Sequence, residues 1–212
     1  MRTPPVVTGL GAKVDALVAL SPKTAQRLDD IYRAGYTIRR GSFSGGSYMY
    51  REEKTITIAL DWPRLTVASL LHELGHAHPD NPAAAQLSRP IPYRGEKRDD
   101  WVEAAVALRL RDEAHANFIA LEGLDEIRRN GGPLIHLYSA NARTHTDIYD
   151  RHRRGELSKE DAINQMARLI ASEKASTTGQ KYEDYYGDFY RRQFVVHEYL
   201  RMREGGPGQV SG

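Results

Sequence analysis

Apolar positions recur along the chain with a helical period, then an alternating one, then a helical one again. From Ser21 the pattern starts with Pro22, where no backbone donor is lost, puts Leu28 and Ile31 on one face and stops at Gly35, which predicts a helix through Ala34. Tyr36 to Arg39 and Ser47 to Leu60 are rich in Tyr, Ile and Thr, with Ser44, Gly45 and Gly46 as turn material between them, so two antiparallel strands are expected. Thr55 to Ala59 alternate as a half-buried strand does. Ala68 to Asp80, ASLLHELGHAHPD, reads as a helix packed into a core, ended by Pro79, Asn81 and Pro82 and followed by a loop through Ser88, Pro90 and Pro92 to Gly95. Asp99 to Arg129 carries an inner stripe at spacings of three and four: Glu103, Val106, Leu110, Glu113, Asn117, Ala120, Leu124 and Ile127. It is one long helix, or two broken near Gly123. Ser158, with Asp161 three residues on, opens a helix to about Glu173 whose stripe is Ile163, Met166 and Ile170. Thr177, Thr178 and Gly179 break it before a tyrosine-rich segment, Tyr182 to Tyr199.

The expected fold class is therefore α+β, mostly α, with a small antiparallel sheet. Residues 1–20 read as an N-terminal arm ending in the apolar segment Val14 to Leu20, 21–204 as one domain, and 205–212, GGPGQVSG, as a flexible tail. Between 130 and 155 a glycine-proline loop leads to His136, Tyr138, His145, Tyr149 and His152, histidines expected in solvated or capping positions.

Chemistry concentrates in His72, Glu73, Leu74, Gly75 and His76. Helix positions i and i+4 lie one above the other, so His72 and His76 can reach one metal ion while Glu73 projects beside them. Two imidazoles and one remote ligand suit zinc and leave a coordination position for water, from which Glu73 is placed to take a proton. Gly75 costs roughly 1 kcal/mol against Ala inside a helix, which makes sense if another element packs closely there. Two carboxylates, Glu103 and Glu113, interrupt the apolar stripe ten residues apart, about 15 Å at 1.5 Å per residue, so only one can join the histidines. Glu113 is the expected third ligand, because Ala114, Ala116, Asn117 and Ala120 allow a close approach, whereas Glu103 sits beside Trp101. His78 and His115 are lesser rivals, each offset from the required face.

Composition narrows the reading. The 212 residues carry a formal net charge of +2 with both signs interspersed, so nucleic acid is not the expected partner. Cysteine is absent, which excludes a thiol nucleophile, a disulfide framework and a cysteine-rich zinc site. No stretch has the length of a membrane span, and the first residues lack the pattern of a signal peptide.

HELGHAH, followed about forty residues later by DEAHANFIAL, resembles the gluzincin pattern of zincin metallopeptidases, whose third ligand is a glutamate on a second helix. The compact order and the late TTGQKYEDYYGDFY segment are similar to metallopeptidase domains of bacterial polymorphic toxins and type VI secretion effectors, including VgrG-linked ones. The resemblance implies a minimal zincin fold, one Zn²⁺ per chain on His72, His76 and Glu113, Glu73 as general base, and Tyr185 or Tyr186 at the developing oxyanion. It implies a monomeric endopeptidase made in the bacterial cytoplasm and delivered by a secretion system, with a protein substrate and an immunity protein as partners. Regulatory proteases of the ImmA/IrrE type also pair HELGH with a later glutamate, but here Ala116, Asn117 and Phe118 are shifted against their pattern. A zincin-shaped binding module without turnover is the non-enzymatic alternative.

Overall fold

The structure is a computed structural model, and it describes residues 6–42, 46–59, 62–87, 95–174 and 178–204. The expected turn at Ser44 and Gly45, the prolines at 90 and 92, Thr177 and the tail at 205–212 lie outside the described residues. The elements run α1 (Ala12–Val18), α2 (Pro22–Arg33), β1 (Thr37–Arg40), β2 (Tyr48–Tyr50), β3 (Thr55–Ile58), α3 (Pro63–Ala77), α4 (Pro82–Leu87), α5 (Arg98–Arg129), α6 (Ala142–Arg153), α7 (Lys159–Ser172) and α8 (Tyr182–Glu204). The chain is mostly helical with a small mixed sheet, as the α+β expectation has it. Among the described residues no helix is long and apolar enough to cross a membrane.

Local signals act where the sequence places them. The Ser21 side chain accepts from Thr24 N and starts α2; that of Ser158 accepts from Asp161 N and starts α7. Ser21 also donates to Glu126 of α5 at 2.6 Å, tying the start of α2 to the long helix.

Three differences from expectation follow from packing. The sheet is mixed: its order is β1-β3-β2, with β1 parallel to β3 and β2 antiparallel to it. The chain leaves β1, reaches the far edge as β2, and returns through the Arg51 to Lys54 turn into the centre. Lys54 takes the positive φ of 47° that this turn requires. The central strand, expected half-buried, is buried at every position from Thr55 to Ile58, because it has a strand on each side and α3 against it. Residues 12–18, expected in an arm, form α1, whose Val14 and Val18 enter the core next to α3.

The expected loop after α3 contains α4, and α5 runs unbroken through Gly123. A Cβ there would collide with the Leu71 side chain of α3 and with Thr24 of α2, so this glycine marks a close approach rather than a break. α3 lies at the centre, its residues from Thr66 to Leu71 buried between α5 on one side and α1, α2 and the sheet on the other. Its wide apolar coverage helps to bury the central strand, while β1 and β2 stay exposed or half-buried.

Candidate metal centre

α3 and α5 cross where both are lined by small residues. At Gly75 an added Cβ would lie 2.5 Å from Ala116 Cα and 3.1 Å from its carbonyl oxygen, so no side chain fits between the backbones. This contact brings the residue three positions before Ala116 alongside the histidines. His72 Nε2 is 3.4 Å and His76 Nε2 is 3.5 Å from Glu113 Oε2, and the two Nε2 atoms are 3.1 Å apart. The donor atoms all lie within 4.8 Å of one another. Tetrahedral zinc with bonds of about 2.0–2.1 Å to N and O separates its ligand atoms by roughly 3.3 Å, close to what these side chains present.

The hydrogen bonds behind the donors fix their direction. His72 Nδ1 donates to Asn117 Oδ1 at 2.9 Å, which leaves Nε2 as the lone-pair nitrogen. His76 Nδ1 lies 3.0 Å from Asp112 Oδ2, close in distance though poorly aligned for a linear hydrogen bond. The lone-pair Nε2 of His72, Nε2 of His76 and a carboxylate oxygen face one point, an arrangement that a shared cation stabilises. The donor set therefore fits a borderline-soft divalent ion, zinc above all.

Charge in the site is balanced by neighbours. Asp112 is 0% exposed, and its carboxylate accepts from Asn81 Nδ2 at 2.5 Å, Arg51 at 3.2 Å and Arg109 at 3.1 Å. Burial opposes its charge, but His76 and Arg109 hold the carboxyl below its ordinary range. Burial opposes ionisation of Glu113 too, yet His76 and His72 hold it well below the usual carboxylate range. Burial likewise works against a charged His76, and Asp112 and Glu113 outweigh it, raising its affinity for a positive charge. Glu73 behaves differently. It is 6% exposed, its carboxylate has no hydrogen-bond partner among the described residues, and burial, only partly offset by the two imidazoles, pushes its pKa up. A buried carboxylate with a raised pKa beside a metal site is suited to taking and returning a proton.

The two tyrosines singled out by the sequence have different places. Tyr186 donates its hydroxyl to Glu113 Oε1 at 2.7 Å, leaving Oε2 for the imidazole side. Burial and the charge of Glu113 push this phenol well above its ordinary pKa, so it remains a donor. Tyr185 is half-buried, packs its ring on Tyr186 at 5.2 Å and makes no hydroxyl hydrogen bond among the described residues. One turn earlier stands Tyr182, which sequence reasoning did not select. Its pKa is pushed up to about 12 by burial first and then by the charges of Glu113, Glu173 and Glu73 among others.

Of the rival ligands, Glu103 is exposed and does not approach the histidines. His115 is 1% exposed and turned away, its Nδ1 donating to the Gly75 carbonyl oxygen at 3.3 Å. His78 caps the end of α3, with Nδ1 accepting from Asp80 N at 3.2 Å. His145, expected near solvent, is buried and donates from Nε2 to Glu173 at 2.9 Å. Sequence reasoning also passed over Asp112, Arg51, Arg109 and Asn81. The available signal was a second acid adjacent to Glu113; Arg51 and Asn81 are remote in sequence and gave none. No protein-family model, curated protein or solved structure matches this chain.

Proposed function

We propose that the protein is a zinc-dependent endopeptidase of zincin type, in which His72, His76 and Glu113 hold the ion and Glu73 is the general base. The observation that carries this reading is the convergence of His72 Nε2, His76 Nε2 and Glu113 Oε2, with Glu73 buried next to them and without a hydrogen-bond partner among the described residues. A zinc ion held by these three residues would supply Lewis acidity and would lower the pKa of water towards neutral. Glu73 takes the water's proton and returns it to the leaving amine. Asp112 and Asn117 keep the imidazoles turned inward, and Tyr186 holds Glu113. Tyr182 and Tyr185, whose hydroxyls make no hydrogen bond among the described residues, are the tyrosines of α8 available to donate to an oxygen that gains charge on the substrate.

A polypeptide substrate is supported by the sheet. β2 is an edge strand, and Arg51 just after it reaches Asp112, so an extended peptide pairing along that edge would run beside the metal centre. The resemblance to toxin and effector domains makes delivery into a target cell, opposed by an immunity protein, the biological setting of this proposal.

Replacing Glu73→Gln keeps the shape of the site and removes the base. Zinc content should be unchanged, while hydrolysis falls by about 100- to 10,000-fold. The check combines metal analysis of the purified proteins with mass spectrometry of new peptide termini in cells expressing each form. Identical sets of new termini, or none in either, would count against proteolysis.

A further inference from the structure

The stripe on α5 contains a second carboxylate that the metal centre does not use. Glu103 lies on the same face as Val106, Leu110 and Glu113, and it opens onto a groove between α5 and α8 with a volume of about 370 Å³. Val102, Val106, Ala107 and Leu110 of α5 form its apolar floor and wall, and Gly187 of α8, with no side chain, leaves the opposite wall open. Gly187 follows Tyr186 directly, and Leu110 is one turn before Glu113, so the groove starts just behind the tyrosine that holds the ligand.

Its rim is acidic. Asp99, Glu103 and Glu183 line it against one cation, Arg191, which is already engaged by Asp188 at 2.8 Å. Asp99 pairs with its neighbour Arg98 at 3.0 Å, and Glu183 lies 3.6 Å from Lys181, both exposed pairs of the kind that solvent weakens. Glu103 has no partner among the described residues. Apolar walls rimmed by carboxylates match a long aliphatic stem with a positive end. Lysine and arginine have that shape, burying their methylenes and leaving the charge at the rim.

We infer that the α5/α8 groove binds a lysine- or arginine-bearing segment of the polypeptide substrate, so that basic sequences are held next to the metal centre. The charge sign selects the segment, and the apolar wall adds affinity that salt does not screen. This rests on the peptidase reading for the identity of the ligand as substrate, but binding itself is measurable without turnover.

The test uses the zinc-loaded Glu73→Gln protein and two fluorescein-labelled peptides of one leucine-serine sequence, one carrying arginine and the other glutamine at the same positions. Fluorescence anisotropy should give a Kd for the arginine peptide lower by about tenfold or more, a difference that narrows as salt is raised. Reversing the rim with Glu103→Lys and Glu183→Lys should bring the arginine peptide to the level of the glutamine one. Ala107→Trp, which fills the groove from an exposed position and leaves every charge in place, should weaken it as well. Equal affinity for the two peptides, or an arginine peptide unaffected by both changes, overturns the inference. In the wild-type background, cleavage without preference for the arginine peptide would reject the groove and keep the peptidase. Groove-dependent binding with no cleavage would keep the groove and reject the peptidase.

Discussion

At the residue scale, the site depends on which oxygen of each carboxylate is already engaged. Tyr186 takes Glu113 Oε1 and leaves Oε2 facing the imidazoles, so the carboxylate arrives with one oxygen spent and its rotation blocked. Removing only that hydroxyl, in Tyr186→Phe, keeps the buried ring and frees Glu113 to turn. Zinc affinity should fall by about 10- to 100-fold, measured by competition with a chromophoric chelator, with little change in the far-ultraviolet circular dichroism spectrum. Tyr185→Phe is the matched control, since its hydroxyl has no hydrogen-bond partner among the described residues. Equal affinities for the two variants would show that the bond to Glu113 carries no weight.

At the scale of elements, the centre exists because α3 and α5 touch backbone to backbone. Gly75 is unfavourable for its own helix by roughly 1 kcal/mol relative to alanine, so propensity alone predicts that Gly75→Ala would stabilise the protein. Packing predicts the opposite. The new methyl would meet the Ala116 main chain at 2.5 Å, which cannot move aside as a flexible side chain could, and overpacking of this kind costs about 1–3 kcal/mol. The helices must separate, and His76, one residue on, moves away from Glu113. Gly75→Ala should therefore lower Tm by about 2–8 °C and weaken zinc retention together. A raised Tm with normal zinc binding would mean the contact has slack.

Elements also show where the sequence was readable. HExxH spacing and the Ser21 and Ser158 caps are local, decided within a few residues of chain, and appear as read, whereas the inner stripe on α5 holds from Leu110 onward and fails at Glu103, which is exposed. The parallel pairing of Thr37 with Thr55 and Ile38 with Ile56 was not readable. Pairing direction depends on where the intervening β2 is laid, and that follows from burial against α3 rather than from the composition of either strand. α6 escaped notice as well, although His145, Ile148 and Tyr149 follow helical spacing, because its polar residues outnumber the apolar ones.

At the scale of the whole molecule, the last helix must be held so that its tyrosines face the centre. The chain enters it from Glu173, whose carbonyl oxygen accepts from Tyr182 N at 2.9 Å. The Glu173 side chain accepts in turn from His145 at 2.9 Å, Asn141 at 3.1 Å and Ser139 at 3.2 Å, so one buried carboxylate ties the segment 139–145 to the entry of α8. Burial opposes its charge, but these donors keep its pKa below the ordinary 4.5. The unfolded chain therefore takes up this proton at higher pH than the folded one. The resulting stability is complete above about pH 4.5 and is lost as pH falls through the lower folded value. Thermal melts across that acid range should show a shallower fall for Glu173→Gln, together with a lower Tm at neutral pH. An unchanged acid slope would mean that the cluster does not contribute to acid sensitivity.

The sequence by itself determined the helical spacing of His72 and His76, the presence of Glu73 beside them, and a second helix carrying Glu113 in line with Leu110, Asn117 and Ala120, because each depends on the fixed 3.6-residue period of one helix. Choosing between Glu103 and Glu113 from sequence needed a guess about which part of α5 comes close to α3. Only the tertiary structure shows which carboxylate lies beside the two histidines, since that turns on a contact between Gly75 and Ala116, forty-one residues apart in the chain. It also decided what stands behind the ligands, Asp112 with Arg51, Arg109 and Asn81. Hydrogen bonds between remote side chains leave no periodic trace, and a buried charge becomes tolerable only once the fold has gathered its partners.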